Sequence, residues 1–222
     1  SSSFTVGLVH AVSALKGIRK TKRQLADEAL NIEQKQLCEA VGSQDQVAAA
    51  FGGLNVIRFG GDPEFQVEPV TISFSRLKEL ESHLLLAFTG MSRTASLVAS
   101  KKISQIPKRY DELNSMTKLC EKAIDIIVSN EKINKIGEML NEQWFLKKKL
   151  ANEVSNPFID NIYNIAIESG AIGGKILGAG GGGFILIFAK PEKHLAIKNK
   201  LSNLLFVPFS FENLGSQIVY FS

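Results

Sequence analysis

The hydrophobic pattern of the first third of the chain predicts three helices and a β-hairpin. Apolar residues recur every three or four positions over residues 1–15, the spacing of one helix face. The same spacing covers residues 21–38, and a short apolar helix is expected over 44–51. Two apolar segments, 54–59 and 65–72, flank a Gly-Gly-Asp-Pro turn and predict a hairpin. The apolar positions of the first helix are Phe4, Leu8, Val9, Val12 and Leu15, and the predicted inner face of the second comprises Leu25, Ala29, Ile32, Gln36 and Leu37.

The pattern from residue 83 onward predicts an α+β arrangement, with helices packed on one face of an antiparallel sheet. Unbroken apolar runs are typical of buried strands. Residues 97–107 are expected to form a mobile loop, because Ser, Lys and Gln are frequent there and Pro107 breaks a helix. The predicted strands are 83–88, 184–189, 207–212 and 217–221, and the predicted helices are 110–129, 131–150, 158–169 and 191–205.

A glycine-rich turn precedes the apolar run 184–189. Five of the seven residues from Gly178 to Phe184 are glycine, which permits positive φ and close approach of another group to the backbone. Successive amides in such a turn can form a concave nest for an anion such as phosphate. A tight turn between two strands that binds no ligand is an equal alternative. No Lys-Ser or Lys-Thr pair follows the glycines, so the P-loop pattern is not matched.

Composition and charge narrow the function classes. The chain has 222 residues, 45% of them apolar, which is enough for one large domain or two small ones. A net charge of +4 suits anionic small molecules and is too weak and scattered to predict nucleic-acid binding. No apolar run is long enough to span a bilayer, so no membrane partner is expected. Cys38 and Cys120 lie in no metal-type spacing and predict free thiols in a reducing cytoplasm.

Polar residues near three helix starts are candidates for chemistry. Ser1, Ser2 and Ser3 suit an N-cap, or they could present hydroxyls and free amides to a phosphate or its metal. Asp45 lies in the first turn of its helix, where it could complement the dipole or accept a hydroxyl proton. Arg93 could contact an oxyanion or lie on the surface. Residue type alone predicts that Glu33 is solvated, as are the lysines 147–149.

Three segments together resemble a known family. Residues 1–8, Ser-Ser-Ser-Phe-Thr-Val-Gly-Leu, resemble the end of the second signature of the galactokinase–homoserine kinase–mevalonate kinase–phosphomevalonate kinase (GHMP) superfamily, a Gly-Leu-Gly-Ser-Ser-type phosphate loop that enters a helix. Residues 42–53 resemble its catalytic-aspartate segment, and 175–184 its C-terminal glycine loop. Within the superfamily, the Gln-Asp-Gln form at 44–46 is most similar to the D-glycero-D-manno-heptose 7-phosphate kinase group.

The resemblance implies a role for each matched residue in a kinase that uses ATP and Mg²⁺. Asp45 would orient or deprotonate a substrate hydroxyl, while Glu33 and Ser1 would hold the metal. The substrate would be a sugar or a sugar phosphate such as heptose 7-phosphate. The residues expected to bind the nucleotide are Ser1, Ser2, Gly178, Gly180, Gly181 and Gly182, and those expected to bind the substrate are Gln44, Arg93 and Gly181.

The resemblance also implies a domain arrangement. Residues 1–75 would be the remnant of a ribosomal-protein-S5-domain-2-like N-terminal domain, and residues 76–222 a ferredoxin-like GHMP C-terminal domain. Two rival interpretations stand beside the kinase. A non-catalytic module could keep the fold and bind a sugar phosphate or nothing. An RNA-contacting domain is disfavoured by the mild charge and the lack of interleaved aromatic residues.

The family's first signature, its adenine-contacting strands and the Gly-Leu-Gly of its phosphate loop are expected to precede Ser1. We therefore expect the 222-residue chain alone to show little or no kinase activity, since half of the nucleotide site would be absent. A coupled ADP-release assay with ATP, Mg²⁺ and heptose 7-phosphate measures this. Turnover in the usual kinase range of about 1–100 s⁻¹ would contradict the expectation.

Overall fold

The computed structural model of the chain describes residues 2–91 and 95–220. The chain divides into two compact units. The first comprises Ser1–Val70 together with Phe211–Ser222, and the second comprises Thr71–Ser210. Among residues 2–91 and 95–220, no helix combines the length and the apolar character that crossing a bilayer requires.

The first unit packs three α-helices and a π-helix with a two-stranded hairpin. Its core joins Val6 and Val9 of the first helix with Leu25, Val47 and Phe65. The hairpin is antiparallel and pairs Asn55 with Pro69. These elements confirm the three predicted helices and the hairpin, and they are α1 (Ser2–Leu15), α2 (Lys22–Leu30), a π-helix (Asn31–Gln36), α3 (Gln44–Phe51), β1 (Asn55–Phe59) and β2 (Phe65–Pro69).

The second predicted helix changes from α-helical to π-helical hydrogen bonding part-way along its length. Thr21 caps α2 through a reciprocal capping box with Gln24. From Asn31 the backbone adopts π-type hydrogen bonds, as in the bond from Leu37 N to Ile32 O. A π-turn takes one extra residue, so it rotates the following side chains relative to an α-helix. The predicted inner positions Gln36 and Leu37 are consequently exposed, which corrects that part of the prediction.

The first helix also turns an unexpected face inward. Val6 and Val9 are buried, whereas four of the apolar residues that predicted the helix are exposed in the structure described here: Phe4, Leu8, Val12 and Leu15. Ser2 and Ser13 are buried instead. Apolar spacing therefore predicted the helix correctly without identifying the side that packs inside this unit.

The second unit is a four-stranded antiparallel sheet with helices packed on it. Its strands are ordered, from one edge to the other, 171–176, 184–189, 84–88 and 205–207. Its core includes Trp144, Ile159, Ile185 and Ile187, all at most 1% exposed. The α+β class is thereby confirmed. The elements are α4 (Phe74–Ser82), β3 (Leu84–Phe88), α5 (Ala95–Gln105), α6 (Tyr110–Val128), α7 (Asn134–Leu150), α8 (Pro157–Glu168), β4 (Ala171–Ile176), β5 (Phe184–Ala189), α9 (His194–Lys200) and β6 (Leu205–Val207), with short 3₁₀ turns at Ile106–Lys108, Asn152–Val154 and Pro191–Lys193.

The structure differs from the sequence expectations at three places in this unit or in the C-terminal segment. The expected loop at 97–107 is mostly α5, and Pro107 lies in the 3₁₀ turn that follows it, where a missing amide is tolerated. The helix α4, capped by Ser73, was not predicted. The predicted strands 207–212 and 217–221 do not form over the described residues, because β6 shares only Val207 with the first of them and residues 208–220 contain no strand. Short polar-interrupted segments such as 208–220 carry little periodic signal.

Candidate functional site

A buried carboxylate lies at the centre of the first unit's polar network. Glu33, in the π-helix, is 1% exposed. Two hydroxyls from the first turn of α1 donate to it, Ser2 Oγ to Oε2 at 3.0 Å and Thr5 Oγ1 to Oε1 at 2.6 Å. Ser2 and Thr5 share a helix face because they are three residues apart. The start of α1 is thus attached to the π-helix through Glu33.

A third segment reaches the same carboxylate. Gln46, in the first turn of α3, is completely buried and donates its Nε2 to Glu33 Oε2. The other polar atom of this side chain, Oε1, is buried and has no hydrogen-bond partner in the described part of the chain. A buried acceptor left unpaired costs about 1–3 kcal/mol. The predicted phosphate-loop, metal and aspartate segments therefore meet in one hydrogen-bonded cluster, Ser2–Thr5–Glu33–Gln46.

The side chains that donate to Glu33 within the described part of the chain are all neutral. No salt bridge joins Glu33 to a cation within residues 2–91 and 95–220. Burying an unpaired charge is costly, so a cation at this point would relieve the cost. Carboxylate, hydroxyl and amide oxygens are the hard ligands that Mg²⁺ takes. Glu33, the Ser2 hydroxyl and the unpartnered Gln46 Oε1 therefore fit a magnesium ion.

A protein-only cage is absent from the residues described. They contain no group of three or more His, Cys, Asp or Glu side chains placed to hold a metal. Mg²⁺ usually binds through one or two carboxylates together with water and substrate phosphates. A single buried glutamate with a hydroxyl beside it suits binding of this kind, in which water and phosphate complete the metal's ligands.

Asp45 and Gln44 lie beside the cluster in sequence and are exposed. Both are in the first turn of α3, directly before Gln46. The Asp45 carboxylate is therefore accessible to a ligand, while its neighbour Gln46 fixes the turn from inside. Two other predicted site residues, Ser1 and Arg93, lie outside the described residues.

The predicted glycine loop joins β4 to β5 in the second unit. Leu177 N donates to Phe184 O at 2.8 Å and closes the hairpin. Positive φ occurs at Gly178, Gly180, Gly181 and Gly183. Two loop glycines leave no room for a side chain. A Cβ on Gly180 would lie 2.8 Å from Val154 O, and one on Gly182 would lie 2.7 Å from Met91 O.

Residues of two other segments hold this loop by hydrogen bonds. Gly181 N donates to Val154 O and Gly183 N to Met91 O, each at 2.9 Å. Buried Thr89 donates both its amide, at 2.9 Å, and its hydroxyl, at 2.8 Å, to Gly183 O. The amides of Gly178, Ala179, Gly180 and Gly182 donate to no backbone carbonyl within the described ranges. These amides are the ones available for an anion.

Two lysines, one in α7 and one in β4, donate to groups within this unit. Lys147 is only 7% exposed and donates its Nζ to the carbonyls of Ile176 and Gly178. The predicted solvated run 147–149 is therefore wrong at Lys147. Lys175 donates to Gln143 Oε1 at 2.6 Å, and burial lowers the pKa of its ammonium.

Sequence reasoning from residue type did not predict that the polar residues Glu33, Gln46, Lys147 and Thr89 are buried. A signal existed for two of them. Glu33 falls four residues after buried Ala29, and Lys147 falls three after buried Trp144. A charged residue on an otherwise apolar helix stripe is informative because such residues are rarely buried without a reason.

Each unit also contains an open cavity. One, of about 400 Å³, lies in the first unit and includes Ser3, Val6, Gly52 and Glu212 in its lining. The second, of about 420 Å³, lies in the second unit beside Lys101 and the 3₁₀ turn Asn152–Val154. Neither is lined by a predicted site residue. The polar cluster and the glycine loop, not cavity size, therefore mark the candidate site residues in each unit.

A known family matches the larger part of the second unit. Residues 117–205 match the family described as GHMP kinases C terminal. These residues are a GHMP kinase C-terminal domain. The match contains α7 with Lys147, the glycine loop and β5. It confirms the resemblance on which the sequence interpretation depends.

Relatives extend the similarity over most of the chain. D-glycero-α-D-manno-heptose 7-phosphate kinase of Campylobacter jejuni is 31% identical over 195 residues, covering 87% of this chain and 57% of that protein. Mevalonate kinase of Thermococcus sibiricus is 31% identical over 202 residues, covering 87% and 56%. The chain therefore spans between one half and three fifths of the length of these two curated relatives.

A solved structure shares the GHMP kinase fold. D-glycero-D-manno-heptose 1-phosphate kinase from Bacteroides thetaiotaomicron superposes with a TM-score of 0.71 at 24% identity. The superposition covers 96% of this chain and 60% of that one. At this identity the similarity concerns the fold.

Gln46→Glu tests whether Gln46 shares a buried environment with Glu33. The introduced carboxylate would face Glu33, so one of the pair should bind a proton and its pKa should rise above the usual value of about 4.3. The folded state then binds more protons than the unfolded state, and stability is lost as pH rises. We expect a loss of about 3 kcal/mol in unfolding free energy at pH 7 that shrinks toward pH 4, measured by urea denaturation.

The matched control is Gln44→Glu, two residues earlier and exposed. Its unfolding free energy should stay within about 0.5 kcal/mol of wild type at both pH values. Equal pH profiles for the two variants would show that Gln46 is not in contact with Glu33.

Proposed function

We propose that the chain forms part of an ATP-dependent GHMP kinase that transfers the γ-phosphoryl group of ATP to a sugar or sugar-phosphate hydroxyl. The observation that carries the proposal is the buried Glu33 carboxylate, which only neutral groups satisfy among the described residues. A carboxylate in that state is suited to a cation that arrives with a ligand, as Mg²⁺ arrives with ATP.

Glu33 and the serine hydroxyls at the start of α1 would hold Mg²⁺. Bound there, Mg²⁺ would supply positive charge that offsets the negative charge of the ATP phosphates during transfer. Ser2 Oγ lies 3.0 Å from Glu33 Oε2. If the hydroxyl hydrogen turned away from the carboxylate, both oxygens could bind one metal ion. The preceding Ser1 is proposed to share this role. The N-terminus of α1 adds free amides and a positive dipole end for phosphate.

Asp45 would receive the proton of the substrate hydroxyl. The acceptor oxygen forms a bond to the γ-phosphorus, the bond from that phosphorus to the β,γ-bridging oxygen breaks, and ADP leaves. An exposed carboxylate on the first turn of α3 is accessible to the substrate. Gln46 would keep this turn in place through its bond to Glu33, and so fix the position of Asp45. Such a base usually contributes about 10²–10⁴-fold to rate.

The glycine loop would contact phosphate through its free amides. Gly178, Gly180 and Gly182 supply amides that donate to no described backbone carbonyl. The Gly181 amide is already bonded to Val154 O. We therefore propose that Gly181 shapes the turn and does not itself donate to the phosphate. Positive φ at four of the loop glycines would help give the loop the concave shape that an anion needs.

Heptose 7-phosphate is the proposed acceptor. The proposal rests on the Campylobacter jejuni relative, a heptose 7-phosphate kinase by name, which is 31% identical to this chain, and on the Gln-Asp-Gln form at 44–46. Gln44 is exposed next to Asp45 and is suited to bonding a sugar hydroxyl. Arg93 is proposed to bind the phosphate of the substrate.

Asp45→Asn in the complete protein that carries these 222 residues tests the reaction. The amide keeps the side-chain shape and cannot accept the proton. We expect kcat in an ADP-release assay to fall about 10²–10⁴-fold, with the Kd for heptose 7-phosphate, measured by calorimetry, changed less than threefold.

The control is Asp62→Asn in the turn between β1 and β2, which should keep wild-type kcat. A complete protein that binds the sugar phosphate yet releases no ADP would establish the non-catalytic module instead. A kcat in Asp45→Asn equal to that of Asp62→Asn would remove Asp45 from the mechanism.

A further inference from the structure

Lys147 is an unusual residue in the GHMP kinase C-terminal domain because its charge is buried. It lies in the last turn of α7 and is 7% exposed. Its Nζ donates to Ile176 O at 2.7 Å and to Gly178 O at 2.8 Å. Burying a lysine ammonium is costly unless it is well hydrogen-bonded. The two carbonyls that receive it flank the point where β4 becomes the glycine loop.

The two accepted carbonyls determine how the loop begins. Ile176 is the last residue of β4, and Gly178 has a φ of +62°. When one ammonium bonds the carbonyls of residues 176 and 178, both oxygens must converge on the α7 side of the loop. Successive peptide units then have restricted rotation, since each carbonyl is fixed. The amides that follow, of Ala179 and Gly180, are left free of described backbone carbonyls.

The far end of the loop is fixed separately. Gly181 N, Gly183 N and Gly183 O bond to Val154, Met91 and Thr89 respectively. None of these bonds constrains residues 176–178. Lys147 therefore attaches the near end of the loop to the helix layer through its two bonds.

We propose that Lys147 is a positioning residue that fixes the glycine loop in its anion-binding conformation. The consequence for phosphate rests on the proposed function of the loop. The ammonium acts by holding the Ile176 and Gly178 carbonyls on one side, which leaves the free amides for a ligand. A charge–dipole bond of this kind is about twice as strong as a neutral hydrogen bond. Replacing the ammonium by an apolar group would leave two loop carbonyls without their donor.

The test compares Lys147→Met with Lys149→Met in the ¹⁵N-labelled 222-residue chain. Both remove one positive charge from α7, but Lys149 is exposed. Amide hydrogen exchange is measured at Leu177, Gly181 and Gly183, whose amides are bonded in the loop. We expect exchange at Leu177 to accelerate at least tenfold in Lys147→Met and to stay within twofold of wild type in Lys149→Met. Equal exchange in the two variants would overturn the proposal.

Lys147→Arg is the second variant, because Lys147→Met can lose the fold. It keeps the charge and several donors, so exchange at Leu177 should stay within about threefold of wild type. The fluorescence of Trp144, the single tryptophan and fully buried, reports whether the unit is folded in each variant. A folded Lys147→Arg whose Leu177 exchange accelerates as much as expected for Lys147→Met would also overturn the proposal.

A pyrophosphate titration separates this proposal from the function of the loop. Chemical shifts of the Ala179, Gly180 and Gly182 amides give the affinity. We expect Lys147→Met to weaken pyrophosphate binding at least tenfold relative to Lys149→Met. If the wild-type amides do not respond to pyrophosphate while Leu177 exchange still depends on Lys147, the positioning role stands and the anion-binding role of the loop fails. Wild-type affinity in a folded Lys147→Met would refute the link between positioning and phosphate.

Discussion

The burial of Glu33 without a described cationic partner is the constraint from which the first unit's polar architecture follows. One carboxylate gathers hydroxyls from α1 and an amide from α3, so three segments distant in sequence meet at one point. The π-helix places that carboxylate inward, and π-turns are frequent at functional sites. Neutral donors satisfy the oxygens but leave the charge, which makes the cluster receptive to a metal.

The second unit has the opposite requirement under the proposed function, in which its glycine loop presents amides to an anion. Its carbonyls at 176, 178 and 183 are taken by Lys147 and Thr89, while several amides remain available. The glycines serve two purposes there: positive φ shapes the turn, and the missing side chains let the backbones of Val154 and Met91 approach. In each unit, a buried charged side chain, whose desolvation costs free energy, supports the predicted phosphate-binding segment.

The sequence predicted the elements better than the faces they bury. Helical spacing located α1, α3, α6, α7 and α8, and apolar runs located β3 and β5, because both signals are local. The π-turn at Asn31–Gln36 depends on tertiary packing, so the exposure of Gln36 and Leu37 could not be derived from spacing. Lys147 was misplaced for the same reason: its burial depends on carbonyls contributed 29 and 31 residues later. The site residues came from motif resemblance, whereas Thr5, Gln46 and Thr89 emerged only from their contacts.

Crystallography with Mn²⁺ tests most directly whether the Glu33 cluster holds the metal of the proposed phosphoryl-transfer site. Crystals of the complete protein with Mn²⁺ and a non-hydrolysable ATP analogue would give an anomalous difference peak at the metal. We predict a peak about 2.2 Å from a Glu33 carboxylate oxygen, with a serine hydroxyl from the start of α1 as a further ligand. A peak elsewhere, with Glu33 still bonded to Ser2, Thr5 and Gln46, would contradict the account.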